Sequence, residues 1–189
     1  MLTLLLRIFT QNAVVNVAMS VHAAPHPRYR QMNANSRIVR SPDELVTPQD
    51  RILQSGALPY RIRPDGLAEV LLVTTTFSES WAIPKGRVAE GHTFASSAAK
   101  EAEEEAGVVG NVGGGSVGMY RALQRAFRGQ PRLIEVWVYL LEVTGILDAW
   151  DEQGCRSIKW FPAARAASLV DEPLLADLCR RLAAGDLRV

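Results

Sequence analysis

Runs of apolar and β-branched residues mark where the folded part of this chain begins. The first two runs are ALPYRIR, starting at Ala57, and AEVLLVTTT, starting at Ala68. The turn-forming tripeptide Pro64-Asp65-Gly66 lies between them. Two short β-rich runs on either side of such a turn predict a β-hairpin.

A second pair of runs follows in the later half of the chain. MYRALQRAF starts at Met119, LIEVWVYLLEV starts at Leu133, and a turn around Gly129 separates them. The continuous apolar character of LIEVWVYLLEV predicts a buried strand, and we expect the two runs to pair. The glycine-rich segment NVGGGSVG, which precedes them, is predicted to be a loop.

Between the two pairs lies a segment with strong helix-forming composition. TFASSAAKEAEEEAG, starting at Thr93, consists mainly of Ala and Glu. Thr93 is a suitable N-cap, and Gly107 is suited to the position just after the helix. A stripe of alanines recurs at three- and four-residue spacing and lets the helix pack closely on a sheet: Ala95, Ala98, Ala99, Ala102 and Ala106. The acidic side of the helix is therefore predicted to face outward.

The C-terminal region predicts one more strand and two helices. The strand ends at Phe161, and a helix starts at Pro162, because proline is favoured at the first helical position. An amphipathic helix is predicted from Glu172 to Ala183. This order of elements indicates the mixed α/β class, with helices that flank a sheet.

The length of 189 residues suits one domain with an extension. The first 42 residues contain no Asp or Glu but several arginines, so we predict a basic, disordered N-terminal extension over residues 1–46 and one domain over residues 47–189. Three interpretations of the extension remain open: a disordered basic arm, a targeting peptide, or sequence upstream of a true start at Met19 or Met32.

Composition and charge restrict the possible partners. Apolar residues make up 48% of the chain, and the net charge is +1, so no global field favours nucleic acid or a membrane. Cys155 and Cys179 have no metal-ligand spacing, which fits a reducing compartment and predicts a cytoplasmic protein. No apolar stretch is long enough to span a bilayer. We expect a monomer or a homodimer.

Three glutamates of the predicted helix are candidates for metal-dependent chemistry. Glu101, Glu104 and Glu105 stand at positions i, i+3 and i+4, so their carboxylates project from one side of a helix. Mg²⁺ prefers oxygen ligands and is commonly bound by a few carboxylates together with substrate phosphates. The alternative is a solvated helix surface, because glutamate is also a good surface helix former.

The glutamates belong to a longer pattern that resembles the Nudix box, G-x5-E-x7-R-E-U-x-E-E-x-G-U, in which U is a bulky aliphatic residue. Gly86 takes the first position, the three glutamates take the last three acidic positions, and Gly107 and Val108 end the pattern without a gap. Three positions depart from it: His92 replaces the first Glu, Lys100 replaces Arg, and Ala102 replaces the internal aliphatic residue.

The WAIPKG segment before the box and the late KWFP segment also resemble this family. The runs EVLLVTTT and EVTGILDAWDEQGCRSIKWF look most similar to its diphosphoinositol-polyphosphate and diadenosine-polyphosphate hydrolase branch. The resemblance covers about 130 residues.

This resemblance implies a Nudix-type α/β/α sandwich with a mixed β-sheet, and a bound Mg²⁺ or Mn²⁺ ion. It implies Glu104 and Glu105 as principal metal ligands and Glu101 as a further ligand or the base that orients water, with Gly86 also at the metal. An additional acid from beyond the box is expected at Glu152 or Asp151. Lys100 takes the place of an arginine that orients a catalytic glutamate, and it lacks the bidentate fork of arginine.

Substrate phosphates require cations, and six basic residues fall in the lead-in loop and the second pair of runs: Lys85, Arg87, Arg121, Arg125, Arg128 and Arg132. A local basic rim is therefore possible in a nearly neutral chain, although scattered solvated arginines remain an alternative. Trp81, Trp137, Trp150 and Trp160 lie in runs that indicate core or strand packing, so no nucleobase clamp is predicted.

The sequence thus predicts a metal-dependent hydrolase that cleaves a phosphoanhydride linkage in a phosphorylated small molecule, such as a diadenosine polyphosphate or an inositol pyrophosphate. Two alternatives remain open. His92, Lys100 and Ala102 are compatible with a catalytically weak module that binds a phosphorylated ligand as a regulator. The basic extension is compatible with an RNA-directed hydrolase.

Overall fold

The structure is a computed structural model that describes residues 51–74, 80–124 and 132–189. The predicted extension over residues 1–46, together with Arg125 and Arg128, lies outside these residues. The strands are β1 Ile52–Ile62, β2 Ala68–Thr74, β3 Trp81–Ala82, β4 Lys85–Arg87, β5 Val108–Val112, β6 Gly118–Gln124, β7 Arg132–Ile146 and β8 Ile158–Pro162. The helices are α1 Phe94–Ala106, α2 Ala163–Ala166 and α3 Pro173–Ala184.

The described strands form one mixed sheet whose central path runs β3-β2-β1-β7-β5. The predicted hairpin and the predicted pairing of the later two runs are confirmed, since β1 pairs with β2 and β6 pairs with β7 in antiparallel registers. At the centre, β1 and β7 pair in parallel from Ile52 opposite Ile134 to Tyr60 opposite Glu142. This pairing brings β1 and β7, which are far apart in the sequence, side by side at the centre of the sheet.

Helices cover both faces of the sheet. One apolar cluster includes Leu58, Tyr60 and Val136 from the strands together with Leu178 and Leu182 from α3. The other cluster joins strand residues to the alanines of α1. Successive side chains of a strand point to opposite faces of the sheet, so apolar residues lie on both faces. Helices cover these two apolar faces and give the three-layer arrangement. The predicted α/β/α sandwich is therefore confirmed.

Three local predictions need adjustment. The first two residues of the segment predicted as a loop, Asn111 and Val112, complete β5, and Val112 lies opposite Leu141 of β7. Their backbone groups form hydrogen bonds with this long neighbouring strand. The lead-in to α1 contributes β4, which pairs with β1. The helix predicted from Pro162 is only the short α2, with Pro162 as its N-cap. None of the described helices has the length and apolarity to cross a bilayer.

Helix α1, which carries the acidic residues, is fixed at both ends. The Thr93 hydroxyl accepts a hydrogen bond from the backbone N–H of Ser96, and the Ser96 hydroxyl accepts one from the backbone N–H of Thr93. Gly107 ends the helix in the left-handed conformation at φ 64°, which glycine adopts without steric cost. Ala98, Ala102 and Ala106 are buried against the sheet.

We expect Thr93→Ala to lower the free energy of unfolding by about 1 kcal/mol, because the substitution removes the side-chain acceptor at the N-terminus of α1. Urea unfolding monitored by circular dichroism measures the change. Ser116→Ala, in an exposed loop, is the matched control and should leave stability unchanged. Equal midpoints for both variants would contradict a stabilising role of the cap.

Candidate active site

Glu101 and Glu105 of α1 meet the backbone of β4. A Cβ atom at Gly86 would overlap the carboxylate of Glu101, so any other residue at this position would displace that carboxylate. The backbone N–H of the neighbouring Lys85 donates to Oε2 of Glu105 over 3.3 Å. The first glycine of the box pattern and its late glutamates, which lie far apart in the sequence, are thus in direct contact.

Glu105 is almost fully buried, which corrects the prediction that the whole acidic side of the helix faces outward. Its Oε1 lies 2.7 Å from Nη2 of Arg156, and the two side chains are 6% and 17% exposed. The Nε–H of Arg156 also donates to Oε2 of Glu152 over 2.9 Å. Burial of this carboxylate is tolerated because a guanidinium group and a backbone N–H satisfy it.

Burial changes the acidity of both glutamates. Desolvation, followed by the negative charges of Glu105 and Glu104, raises the pKa of Glu101 to about 7. Desolvation also raises the pKa of Glu105, although Arg156 and Lys85 oppose the change. The ionised form of these two carboxyl groups is therefore less stable in the protein than in water. Such raised pKa values are common at sites that bind a cation or transfer a proton.

The third box glutamate, Glu104, has a different environment. It forms an ion pair with Lys100 one helical turn earlier, and this hydrogen bond raises the pKa of Lys100. Lys100 therefore contacts an acidic box residue, as the resemblance implied. His92 is exposed in the turn before the helix, where its backbone N–H donates to the carbonyl of Ala89.

The two candidate acids beyond the box lie in the segment after β7. The backbone N–H of Glu152 donates to the carbonyl oxygen of Glu104 over 3.0 Å, which ties this segment to the end of α1. The carboxylate of Glu152 binds Arg156, whereas Asp151 is exposed. The ring of Trp150 covers Gly107 so closely that a Cβ atom there would overlap it.

Lys85 is half-buried beside the glutamates, on β4. Desolvation lowers the pKa of Lys85, while the charges of Glu105, Glu101 and Glu172 act in the opposite direction. Glu172 precedes α3 and makes no side-chain hydrogen bond to cap that helix. Desolvation and the charge of Asp171 raise the pKa of Glu172 to about 7. The pKa of Lys85 thus depends on the charges of box acids and of an acid that precedes α3.

The other predicted phosphate-binding cations occupy different positions. Arg87 is exposed on β4. Arg121 of β6 donates to Glu135 over 3.1 Å, and Arg51 donates to the same carboxylate oxygen. Arg132 is exposed at the start of β7, and Arg125 lies outside the described residues. A role in substrate binding stays a prediction for these arginines.

Arg156 and Glu172 are site residues that sequence reasoning missed. The i, i+4 spacing of Glu152 and Arg156 was visible in the sequence, but their contact with the box depends on the path of the chain after β7. For Glu172 the only sequence signal was its position before Pro173, which indicated a helix start rather than a site. Both residues come from elements distant from the box in sequence.

The donor set fits a hard divalent cation such as Mg²⁺. The carboxylates of Glu101, Glu104, Glu105 and Glu152 offer oxygen atoms, and a cation would offset the desolvation and the carboxylate repulsion that together raise the pKa of Glu101. Within the described part of the chain, no three His, Cys, Asp or Glu side chains converge closely enough to hold a metal ion. A Mg²⁺ ion bound here would therefore take most of its ligands from phosphate oxygens and water.

Comparison with known proteins identifies the family. The model of the NUDIX domain matches residues 55–181. Diphosphoinositol polyphosphate phosphohydrolase 2 of Rattus norvegicus is 33% identical over 122 residues, which cover 62% of this chain and 64% of that protein. The matched region therefore spans slightly less than two thirds of this curated relative.

Two solved structures share the fold. The C. elegans Ap4A hydrolase in a binary complex has a TM-score of 0.51 at 22% identity and covers 71% of this chain and 96% of its own. The NUDIX domain of Shewanella oneidensis NrtR, complexed with ADP ribose, has a TM-score of 0.54 at 18% identity and covers 79% of this chain and 95% of its own. With the family model matching well over half of the residues, the chain belongs to the Nudix family.

Proposed function

We propose that this protein is a metal-dependent pyrophosphohydrolase that cleaves a phosphoanhydride linkage in a polyphosphorylated small molecule. The observation that carries the proposal is the contact between the two ends of the box: the Glu101 carboxylate lies against Gly86, and Glu105 accepts a hydrogen bond from Lys85. This contact places carboxylates, a lysine and a guanidinium group in one cluster. The substrates named for the rat and C. elegans relatives also support it.

The residues have complementary roles in this proposal. Glu104 and Glu105, with Glu152 and Gly86, would hold a Mg²⁺ or Mn²⁺ ion, which supplies charge neutralisation at the phosphates when bound. Glu101 orients the attacking water or accepts its proton, since a carboxyl group with a pKa of about 7 suits proton transfer near neutral pH. Lys85 and Arg156 bind phosphate oxygens, because both are cations within the glutamate cluster.

A second candidate function is a binding module that recognises a phosphorylated ligand without turnover. The ion pairs that engage two box glutamates favour it, since Lys100 binds Glu104 and Arg156 binds Glu105. A cation must compete with these side chains for the carboxylates. The two functions differ in one measurable property, which is hydrolysis of the bound compound.

We expect release of phosphate or a nucleotide from at least one of four compounds with Mg²⁺ or Mn²⁺: a diadenosine polyphosphate, an inositol pyrophosphate, ADP-ribose or a nucleoside triphosphate. Glu104→Gln should reduce the rate by about 100-fold or more, because it removes a charged metal ligand. Glu90→Gln, an exposed glutamate before α1, is the matched control. Binding of these compounds without any turnover would instead support the binding module.

A further inference from the structure

One row of paired residues crosses four strands beneath the start of α3. Lys85 of β4 is paired with Gly56 of β1. Gly56 is paired in turn with Val138 of β7, and Val138 with Gly118 of β6. A Cβ atom at Gly118 would lie 2.8 Å from the side chain of Leu174, the second residue of α3. The missing side chain at Gly118 therefore lets the start of α3 lie close to the sheet.

The side chain of Lys85 leaves the sheet on the side that α3 covers. A Cβ atom at Gly56 would lie 3.1 Å from the Cβ atom of Lys85, so both positions face the same way. Leu58, two residues after Gly56 and therefore on the same face, belongs to the apolar cluster that contains Leu178 of α3. The next residue of β4, Gly86, faces α1 instead. Strand β4 thus presents the box glycine to one layer and Lys85 to the other.

Glu172 directly precedes α3 and is half-buried. Its charge acts on two residues of this side of the sheet. Burial, and then the charge of Glu172, raises the pKa of Tyr120, which lies two residues after Gly118 on the same face. Burial lowers the pKa of Lys85, and the charge of Glu172 is one of those that oppose this change. The carboxylate of Glu172 therefore lies near both Tyr120 and Lys85.

The fold alone gives no reason for a carboxylate at this position. Glu172 caps no backbone N–H of α3, and over residues 51–74, 80–124 and 132–189 its carboxylate forms no hydrogen bond or ion pair. Desolvation and the charge of Asp171 raise its pKa to about 7, so the ionised form is less stable here than in water. A helix N-terminus favours an acidic residue, but the exposed Asp171 meets that preference without burial. A carboxylate kept under these conditions indicates a role toward a ligand.

Glu172 opposes the attraction that Lys85 exerts on phosphate groups. A phosphate that binds Lys85 and extends toward the start of α3 meets the negative charge of Glu172. A linear polyphosphate can place its few phosphates along the box and Lys85 and leave this region empty. An inositol ring that carries phosphates around its circumference brings at least one of them against the carboxylate. The charge of Glu172 therefore distinguishes between these two arrangements of phosphates.

We propose that Glu172 is a specificity-determining residue, which selects against substrates with phosphates around a ring and so favours linear polyphosphates. The inference rests on the proposed hydrolase function, because that function places the substrate phosphates at Lys85. The effect of Glu172 on binding needs no turnover. Binding and hydrolysis can therefore be tested separately.

The test measures binding of inositol hexakisphosphate to the metal-free chain at pH 8 by calorimetric titration. Glu172→Gln should bind it about five- to tenfold more tightly than the native chain, and Glu172→Lys about 20-fold or more, because these substitutions remove or reverse a charge near Lys85. Glu172→Gln removes no hydrogen bond that caps α3, so the variant should fold. Asp177→Asn, an exposed acid of α3, carries the same change of net charge and should alter the affinity less than about twofold.

A second titration at pH 6 separates the charge of Glu172 from the shape of its side chain. The carboxyl group is largely protonated there, because its pKa is about 7, so the native chain should resemble Glu172→Gln. The difference in affinity should then fall below about twofold. In a phosphate-release assay with Mg²⁺, Glu172→Gln should raise the ratio of kcat/KM for an inositol pyrophosphate to that for a diadenosine polyphosphate by about fivefold or more.

Equal affinity of Glu172→Gln and the native chain at pH 8, or absence of binding by every variant, would overturn the inference. An equal gain in Asp177→Asn, or a gain that persists at pH 6, would overturn it as well. A charge-dependent gain in Glu172→Gln without hydrolysis of any compound would support the role of Glu172 in binding but refute the hydrolase. Hydrolysis with an unchanged ratio and an unchanged affinity would refute only the role of Glu172.

Discussion

Glu101→Gln is expected to reduce phosphate release by about 10²–10⁴-fold and, in the same variant, to stabilise the metal-free fold at pH 8. The first effect follows from removal of the carboxylate proposed to orient or deprotonate water. The second follows from the pKa of Glu101, which burial and the neighbouring carboxylates raise from 4.5 to about 7. The charged form of this residue is therefore less favourable in the folded chain than in the unfolded one.

The direction of the pH dependence follows from proton binding. Between about pH 4.5 and 7 the folded chain retains a proton on Glu101 that the unfolded chain has released, so the free energy of unfolding falls as pH rises through this window. At about 1.4 kcal/mol per pKa unit, the shift corresponds to at most about 3 kcal/mol. Solvent screening of this half-buried side chain reduces the expected gain for glutamine to roughly 1–2 kcal/mol.

Urea unfolding in a chelating buffer at pH 4.5 and pH 8 measures the gain, and a phosphate-release assay with Mg²⁺ measures the loss. Glu90→Gln should change neither property. A Glu101→Gln variant that loses activity and is also less stable at pH 8 would contradict the prediction. The carboxylate would then support the fold rather than strain it.

The parts of the site that could be predicted from sequence are those determined by local chemistry. The limits of α1 follow from Thr93 and Gly107, because capping depends on residues within one helical turn. The spacing of the glutamates follows from helical periodicity. The contact of Gly86 with Glu101, in contrast, was not predicted and comes from the structure, in which a Cβ atom at Gly86 would overlap the Glu101 carboxylate.

The remaining parts depend on interactions between distant segments. Parallel pairing of β1 with β7 has no local signal, because parallel strands are joined by long connections rather than by a turn. The burial of Glu105 also escaped prediction: helical periodicity placed it beside Glu101 and Glu104, but the position of β4 and of the segment after β7 decides which of the three is covered.

Arg156→Gln is expected to lower the free energy of unfolding by about 2–3 kcal/mol at pH 8. Removal of one partner of a buried ion pair commonly costs about 3–5 kcal/mol, because it leaves an uncompensated charge. The smaller value is expected here because the backbone N–H of Lys85 still donates to Glu105, and Glu105 can take up a proton, its pKa being already raised by desolvation. Arg156→Gln should also weaken substrate binding, since it removes a cation proposed to bind phosphate.

A double-mutant cycle separates the ion pair from other effects of the substitution. When Glu105→Gln is added to Arg156→Gln, the buried carboxylate is absent, so the double variant should recover about 1 kcal/mol or more relative to Arg156→Gln alone. Arg165→Gln, an exposed arginine of α2, is the control and should have little effect. Strictly additive losses in the cycle would show that the contact between Arg156 and Glu105 contributes nothing to stability. In that case Arg156 would be held in place by Glu152 alone, and its guanidinium group would be available to a substrate phosphate without releasing Glu105.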